Sequence, residues 1–310
     1  MMDTNDAWIQ ERTGIKERRH IKEGDGNTTA VMGVKAAKIA LERAKMTAQD
    51  IDMIVFATLS PDYYFPGCGV QVQEMLEMRT VPALDVRNQC SGFVYALSTA
   101  DQFIKTGMYK NILVIGSENH SGGLDMTTRG RSVSVIFGDG AGAAVLTREE
   151  DNNKGILSTH LHSEGAHALE LSLKGPSTME WVPELIEKDP QEDIPYYPYM
   201  NGQFVFKNAV VRFAEVINEG LQQNKLTAED IDMLIPHQAN LRISQFVQKQ
   251  FKLKDDQVFN NIQKYGNTTA ASIPIALTEA WEEGKIKEGD TVVLAAFGSG
   301  FTWASAIIKW

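Results

Sequence analysis

The chain has 310 residues, of which 43% are hydrophobic and 23% charged, a composition typical of globular proteins with a well-formed core. Two cysteines and a formal net charge of −10 exclude a disulfide-rich secreted scaffold and argue against general nucleic-acid binding. No apolar run approaches the ~20 residues of a membrane span, and the first residues lack the regions of a signal peptide, so the sequence predicts a cytoplasmic protein without membrane contact.

The first half of the chain alternates between helical and strand-like patterns. Residues 29–46 carry the apolar spacing of a helix, and residues 51–57 form a continuous apolar run typical of a buried strand. The run ALDV at 83–86 is β-type, and SGFVYALSTADQFI, which starts at Ser91, has helical spacing. The run at 112–116 predicts a further buried strand.

The second half of the chain follows the same plan. It opens on a strand-like segment at 155–165, continues with a helical pattern at 208–226, and ends with an apolar run at 292–297. Apart from the opening strand-like segment of the second half, each half reads helix, strand, strand, helix, strand. Such alternation predicts an α/β fold with parallel-rich, doubly wound sheets, divided into an N-terminal half at 1–150 and a C-terminal half at 151–310.

The two halves also repeat each other in sequence at one fixed distance. TAQDIDMIVFAT starts at Thr47, and TAEDIDMLIPHQ starts 180 residues later, at Thr227. The same offset brings NILVIGSE, from Asn111, onto TVVLAAFG, from Thr291. Because chance does not keep one offset across separate segments, we interpret the chain as an internal duplication.

The duplication leaves one strand without a counterpart. Subtracting 180 from the strand-like segment at 155–165 gives positions before residue 1. An insertion in the second half would explain this, but the sharper interpretation is that the first half lacks its own first strand. We therefore expect either a misassigned start or an impaired protein.

Cys90 lies at the junction of a β-type run and a helical pattern. The start of a helix offers unpaired N–H groups and a positive dipole end, which favour the thiolate, so Cys90 is a candidate nucleophile. The alternative is a buried structural cysteine. Cys68, in FPGCGVQVQ, is interpreted as a small residue at a helix start.

Three further positions have both a structural and a functional interpretation. His237 ends the apolar run IDMLIPHQ, where α/β sheets place ligand-contacting residues, but it also fits a structural histidine. Asn267, in the turn YGNTTA, fits a helix N-cap. The glycine turn at 297–300 is either a plain hairpin or a place where backbone N–H groups approach a substrate.

Two other motifs favour structural interpretations. The segment FGDGAGAAVL at 137–146 lacks the GxGxxG and following helix of a dinucleotide site, so it reads as a turn that feeds a strand. His160, His162 and His167 cluster near one strand, which would place the first two rings on one face. Neither HExxH nor CxxC occurs, and we predict no metal site.

The sequence resembles β-ketoacyl-acyl-carrier-protein synthase III, the initiating condensing enzyme of fatty-acid synthesis in the thiolase superfamily. The matching stretches span nearly the whole chain in family order: DAWIQERTGIKERR, DVRNQCSGFVYAL, IFGDGAGAAVL, PHQANLRIS, YGNTTAASIP and AFGSGFTWASA. The resemblance implies a thiolase-like fold, in which two duplicated α/β halves form αβαβα layers. It also agrees with the missing strand, since family members begin upstream of the DxWI motif.

The resemblance implies a Cys-His-Asn site formed by Cys90, His237 and Asn267. Cys90 would take the acyl group of an acyl-CoA starter, and malonyl-acyl-carrier protein would then enter. His237 and Asn267 would stabilise the enolate that forms as CO2 leaves, and the products would be 3-oxoacyl-acyl-carrier protein, CoA and CO2. The backbone N–H groups of Cys90 and Ser299 would hold the second oxyanion, and no cofactor is implied.

The same resemblance implies roles for residues around the reacting groups. Trp8, Arg12 and Arg129 would bind the adenine end of CoA. The other assigned positions are Gly202, Phe206 and Asn240 along the pantetheine channel, Phe65 and Phe297 near the acyl pocket, and Arg242, Lys207 and Lys249 as a docking patch for the acidic carrier protein. A homodimer is implied as well, with Phe65 reaching the partner's pocket. The alternative for the lysines is ordinary solvated charges.

Two departures from the family pattern stand out. Ser299 occupies a position where the family often has glycine, which matters little because only its backbone N–H is needed. The segment at 168–200 is variable, and we expect it to shape acyl preference.

Two other functions stay open at this point. One is a specialised paralogue with another acyl donor or acceptor in secondary metabolism, which would keep the same three residues. The other is a non-catalytic subunit that binds acyl carrier protein or CoA.

Overall fold

The computed structural model describes residues 2–151, 153–179 and 196–310. Its helices are α1 (Asp6–Thr13), α2 (Thr29–Ala44), α3 (Cys68–Met75), α4 (Gly92–Lys105), α5 (Arg131–Ser134), α6 (Gly202–Gln223), α7 (Leu241–Phe251), α8 (Ile262–Tyr265) and α9 (Ser272–Glu282). Its strands are β1 (Met53–Ala57), β2 (Ala83–Val86), β3 (Asn111–Glu118), β4 (Gly140–Thr147), β5 (Gly155–Ser163), β6 (Leu171–Ser172), β7 (Tyr199–Met200), β8 (Met233–Pro236), β9 (Thr291–Gly298) and β10 (Thr302–Lys309). The middle of the variable segment, residues 180–195, lies outside this description.

The strands form two four-stranded sheets and one two-stranded ribbon. The first sheet has the order β2-β1-β3-β4, in which β1 runs parallel to β2 and β3 while β4 is antiparallel to β3. The second sheet has the order β5-β10-β9-β8, with β8 parallel to β9 and the other pairs antiparallel. The ribbon pairs β6 with β7.

Three apolar clusters show how helices and sheets are layered. One joins α2 and α3 to the outer face of the first sheet, and another joins α6 and α7 to the outer face of the second. The largest lies between the sheets, where α4 and α9 pack against β1 and β3 on one side and β8, β9 and β10 on the other. Strands covered on both faces are expected to be apolar throughout, and all five residues of β1 and all eight of β9 are buried. The predicted α/β class and its αβαβα layers are therefore confirmed.

The duplication is visible at the level of single hydrogen bonds. Thr47 and Asp50 form a capping box before β1, and Thr227 and Asp230 form the same box before β8. Both boxes begin a three-residue turn that leads into a buried strand. A shared capping pattern gives both halves the same entry into their central strands.

The two sheets differ at one edge. In the second sheet β10 lies between β9 and β5, whereas in the first sheet no described residue pairs with the outer side of β4. A cavity of about 800 Å³ lies beside β4, lined in part by Ala144, Leu146 and Trp310. The first half of the described chain thus has no equivalent of β5, as the offset in the sequence predicts.

Several local predictions can be compared directly with the structure. Cys68 is buried and begins α3, and the FGDGAG segment leads into β4, as expected. His160 and His162 both lie within 3.4 Å of Glu219, so their rings share a face of β5. Within the described ranges no helix is long and apolar enough to cross a membrane.

Candidate active site

Cys90 sits in a tight turn between β2 and α4. The three-residue 3-10 turn Gln89–Ser91 directly precedes α4, and Gln89 has a φ of +43°, a left-handed conformation that is costly for a residue with a Cβ. The hydroxyl of Ser91 donates to the carbonyl of Thr302 over 3.0 Å. The nucleophile candidate is therefore held by the second sheet, although it belongs to the first half of the chain.

Burial and hydrogen bonding act on the protonation state of Cys90 in opposite directions. Burial raises the pKa of the Cys90 thiol to about 12, and the nearby Glu118 carboxylate acts in the same direction. Hydrogen bonds from the backbone N–H groups of Ser299 and Cys90 act in the opposite direction but are the weaker influence. Burial therefore opposes the thiolate that the start of a helix favours, and the activation of Cys90 stays a prediction.

His237 follows β8 and is almost completely buried. Its Nδ1 shares a hydrogen bond of 2.6 Å with the Ser272 hydroxyl. Its Nε2 has no hydrogen-bond partner among the residues described. Burial, and then the neighbouring His120, lower the pKa of His237 to about 3. The imidazole is therefore neutral at physiological pH, with Nδ1 held by Ser272 and Nε2 without a partner in the described part of the chain.

Asn267 is held by the first half of the chain. Its backbone N–H donates to Ile136 and its carbonyl accepts from Gly138, at 2.9 and 3.0 Å. Its side-chain Oδ1 accepts from the backbone N–H of Thr269 at 2.9 Å, so the side chain caps a turn and not the following helix. Among the described residues nothing binds the amide Nδ2, which is thus a free donor.

One cavity of about 150 Å³ collects these groups. Cys90, His237 and Asn267 all line it, although they come from three separate parts of the chain. The sequence-predicted channel and pocket residues that also line it are Gly202, Phe206, Asn240 and Phe297. The structure thus brings together seven of the predicted residues around one cavity, and their roles stay predictions.

The residues predicted to bind the adenine end of CoA, Trp8, Arg12 and Arg129, do not line the cavity. The Arg12 guanidinium lies 4.6 Å from the centre of the Trp8 ring, and the Arg12 carbonyl accepts from Asn240 Nδ2 over 3.0 Å. Asn240 therefore links the Trp8–Arg12 pair to the cavity wall. Arg129 instead pairs with Asp125 at 2.6 Å and lies over the Tyr197 ring.

The remaining predicted residues are on the surface. Phe65 is 82% exposed and does not line the described cavity. Lys207 on α6 and Lys249 on α7 are exposed, while Arg242 donates to the Glu11 carbonyl at 2.7 Å. These positions leave the acyl-pocket role of Phe65 and the docking role of the three cations as predictions.

Several residues near the site were not predicted from the sequence. Arg131, whose guanidinium is 5.7 Å from the Trp8 ring centre, pairs with Asp3. Its only sequence signal is its position two residues after Arg129. Ser272, which holds His237, carries no signal beyond its place in a helical pattern. Gly298, by contrast, lies in the glycine turn noted in the sequence, and it passes so close to Cys90 that a Cβ there would lie 2.5 Å from the Cys90 Cβ.

Glu118 is a further unpredicted residue, at the end of β3. It is fully buried and accepts hydrogen bonds from Thr58, from the backbone of Leu59 and from Ser60. Burial raises the pKa of this carboxyl to about 7, in spite of these bonds.

No group of three or more metal-ligating side chains occurs in the part of the chain that the structure covers.

Comparison with known proteins agrees with this geometry. The family described as 3-oxoacyl-[acyl-carrier-protein (ACP)] synthase III matches residues 84–165, and the C-terminal part of that family matches residues 221–310. The β-ketoacyl-[acyl-carrier-protein] synthase III of Rhodospirillum centenum is 46% identical over 314 residues, which cover 100% of this chain and 92% of that protein. The protein of the same name from Aliivibrio fischeri is 45% identical, with the same coverage of both chains.

Structural comparison gives the same result. The crystal structure of 3-oxoacyl-[acyl-carrier-protein] synthase III from Aquifex aeolicus is similar, with a TM-score of 0.90 and 42% identity, over 100% of this chain and 92% of that one. Identity at this level over the whole chain decides the family. The chain belongs to the β-ketoacyl-[acyl-carrier-protein] synthase III family.

Proposed function

We propose that this protein catalyses decarboxylative condensation of an acyl-CoA starter with malonyl-acyl-carrier protein, the step that initiates fatty-acid synthesis. The observation that carries the proposal is the convergence of Cys90, His237 and Asn267 on one cavity, in a chain of this family. The three residues supply a nucleophile, a neutral imidazole and an amide donor.

In the first half-reaction the Cys90 sulfur attacks the carbonyl carbon of the acyl-CoA thioester. His237 Nε2 accepts the thiol proton, because the imidazole is neutral and the Ser272 hydroxyl at 2.6 Å can accept a hydrogen bond from Nδ1–H. The backbone N–H groups of Cys90 and Ser299 stabilise the tetrahedral oxyanion. The C–S bond to CoA then breaks, the CoA sulfur takes the proton from His237, and the acyl group stays on Cys90.

In the second half-reaction a malonyl thioester occupies the cavity. Its carbonyl oxygen accepts hydrogen bonds from His237 Nε2–H and Asn267 Nδ2. His237 donates in the tautomer whose Nδ1 accepts from Ser272, so one hydroxyl serves both half-reactions. When CO2 leaves, the electron pair of the broken C–C bond stays on an enolate, whose carbon attacks the acyl carbon and expels the Cys90 thiolate. The thiolate then takes up from solvent the one proton that the overall reaction consumes. Fixed donors lower this barrier because they bind the charge that develops on the carbonyl oxygen.

The CoA portion extends from the cavity towards α1. Gly202, Phe206 and Asn240 bind the pantetheine arm, and Trp8, Arg12 and Arg129 bind the adenine end. The proposal is supported by the hydrogen bond from Asn240 to the Arg12 carbonyl, because it joins the cavity lining to the residues predicted to bind the adenine end. An arginine guanidinium suits this task because it stacks on flat rings and pairs with phosphate.

Partner binding and location complete the proposal. The acidic carrier protein docks on Arg242, Lys207 and Lys249, since these cations give a net acidic chain a local positive face. Phe65 and Phe297 bound the acyl pocket. We place the protein in the cytoplasm, which fits two cysteines without a disulfide, and we divide it at residue 150 into its two halves.

A homodimer is part of the same proposal. Four large apolar side chains, Tyr63, Tyr64, Phe65 and Leu84, are 40% or more exposed, and Leu84 belongs to β2, an edge strand of the first sheet among the described residues. Exposed apolar patches and open strand edges favour association. Sedimentation analysis should show a species of twice the 34.4 kDa chain mass, and a monomer at micromolar concentration would contradict it.

The function is tested with a panel of acyl-CoA starters and mass detection of the intact protein. We expect the acyl mass on the wild-type chain, none on Cys90→Ala, and CO2 release when malonyl-acyl-carrier protein is added. Cys68→Ala is the matched control and should acylate normally. Absence of an adduct would support the non-catalytic binding subunit instead, while an adduct without turnover of malonyl thioester would contradict condensation.

A further inference from the structure

The orientation of Asn267 depends on a residue in an unfavourable conformation. The backbone N–H of Thr269 holds Asn267 Oδ1 at 2.9 Å, which leaves Nδ2 free for a ligand. Thr269 has a φ of +50°. A β-branched residue is strained in this left-handed region, so contacts elsewhere must hold Thr269 in place.

The side chain of Thr269 is held by a histidine from the other half of the chain. Its Oγ1 shares a hydrogen bond of 2.7 Å with Nε2 of His120. Both residues are buried, so no solvent competes for this bond. His120 follows β3 and therefore belongs to the first half, whereas Thr269 and Asn267 belong to the second.

His120 is itself fixed from two directions. Its backbone N–H donates to Asp139 Oδ1 at 2.7 Å, and its ring packs on Phe137 with 4.8 Å between ring centres. Burial lowers the pKa of His120 to about 4, so the imidazole is uncharged in neutral solution. A rigid, uncharged group is suited to hold a hydroxyl without placing a positive charge beside His237.

We propose that His120 is a positioning residue, which fixes Thr269 so that the amide of Asn267 faces the carbonyl oxygen of the malonyl thioester. The inference rests on the proposed function, because it assigns His120 to one of its two half-reactions. Acylation of Cys90 uses the backbone N–H groups of Cys90 and Ser299 and the ring of His237, and no hydrogen bond joins these groups to Thr269 among the described residues. His120 therefore acts chiefly in condensation.

The test measures the two half-reactions separately in His120→Ala and Thr269→Val. We expect the rate of Cys90 acylation by acyl-CoA to change much less than the rate of condensation, because the hydrogen bond to Thr269 positions Asn267 and not the groups that react in acylation. Condensation with malonyl-acyl-carrier protein should fall by about 10- to 100-fold, because small misplacements of a positioned group have effects of this size. Thr269→Ser keeps the hydroxyl and should retain most of the condensation rate.

Two controls separate positioning from loss of stability. Ser98→Ala removes another, partly buried hydrogen bond, the 2.7 Å contact with Thr159, and should leave both half-reactions intact. His120→Gln keeps the side-chain volume, and it replaces His120→Ala if thermal unfolding shows that the alanine variant is not folded. Equal losses in both half-reactions would overturn the inference.

A double-mutant cycle shows whether His120 acts through Asn267. In the Asn267→Ala background, His120→Ala should cause no further loss of condensation, because the group that it positions is gone. Losses that multiply would contradict the inference. Failure of the wild-type chain to acylate or to condense would contradict the proposed function itself, and so the two failures are distinguishable.

Discussion

At Gly298 the backbone of β9 passes Cys90 more closely than any side chain would permit. A Cβ at this position would lie 2.5 Å from the Cys90 Cβ and 3.0 Å from its sulfur. Both distances are far shorter than a van der Waals contact, and Cys90 is buried in the turn Gln89–Ser91. Glycine is therefore needed at position 298 because the backbone passes so close to Cys90. It is not needed for its conformation, because its φ does not lie in the left-handed region.

We expect Gly298→Ala to displace the sulfur and slow acylation by about 10²-fold, with a loss of roughly 1–3 kcal/mol in stability from overpacking. Gly165→Ala is the matched control, because no atom lies within 4 Å of a Cβ there. Adduct formation followed by mass spectrometry and a denaturant titration measure the two effects. Normal acylation in Gly298→Ala would show that the turn at Cys90 adapts.

At the scale of elements, the start of α7 joins helix capping to the site. Asn240 caps α7, with its Oδ1 accepting from the Arg242 N–H at 2.9 Å, and its Nδ2 donates to the Arg12 carbonyl. The side chain of Asn240 therefore both caps α7 and binds the end of α1 at Arg12. The close packing of Gly14 against Leu241 reinforces this contact.

Asn240→Ala should lose about 1 kcal/mol of stability, as expected for a lost N-cap, and should also raise the KM for acyl-CoA. The rate at saturating acyl-CoA should change little, because Asn240 is not among the three groups proposed to react. Thr28→Ala removes the cap of α2 and should lower stability without affecting KM. Equal KM values in both variants would show that Asn240 serves only as a cap.

The elements themselves follow from sequence patterns to a large extent. Continuous apolar runs predict β1, β3 and β9 because these strands are buried on both faces. The duplication also predicts that the outer edge of β4 is unpaired among the described residues. The placement of Ser272 against His237, and of His120 against Thr269, is not predictable in this way. These contacts join residues from different parts of the chain, and only tertiary packing decides them.

At the scale of the whole molecule, the site is built across the duplication. Cys90 comes from the first half and contacts Thr302 through its neighbour Ser91. Asn267 comes from the second half and is bound by Ile136 and Gly138 of the first. The two halves thus hold each other's candidate residues, and these residues collect around one cavity.

Building a site at the centre of the molecule buries titratable groups, which links stability to pH. The pKa of Glu118 is raised to about 7 from an ordinary value of 4.5, chiefly by burial. The folded protein then binds more protons than the unfolded chain between these values, so this group's stabilising contribution is lost as pH rises from 4.5 to 7. The neutral His120 and His237 act in the opposite sense, since their lowered pKa values reduce stability as pH falls below 6.5.

Glu118→Gln separates these opposing effects, because it removes the carboxyl while retaining a side chain of similar size. We expect the unfolding free energy of the wild type, relative to this variant, to decrease by roughly 3 kcal/mol between pH 4.5 and pH 7. Denaturant titrations of both proteins across this range measure the difference directly. A difference that stays constant with pH would mean that Glu118 titrates normally in the folded protein, whereas one that grows with pH would require a lowered pKa.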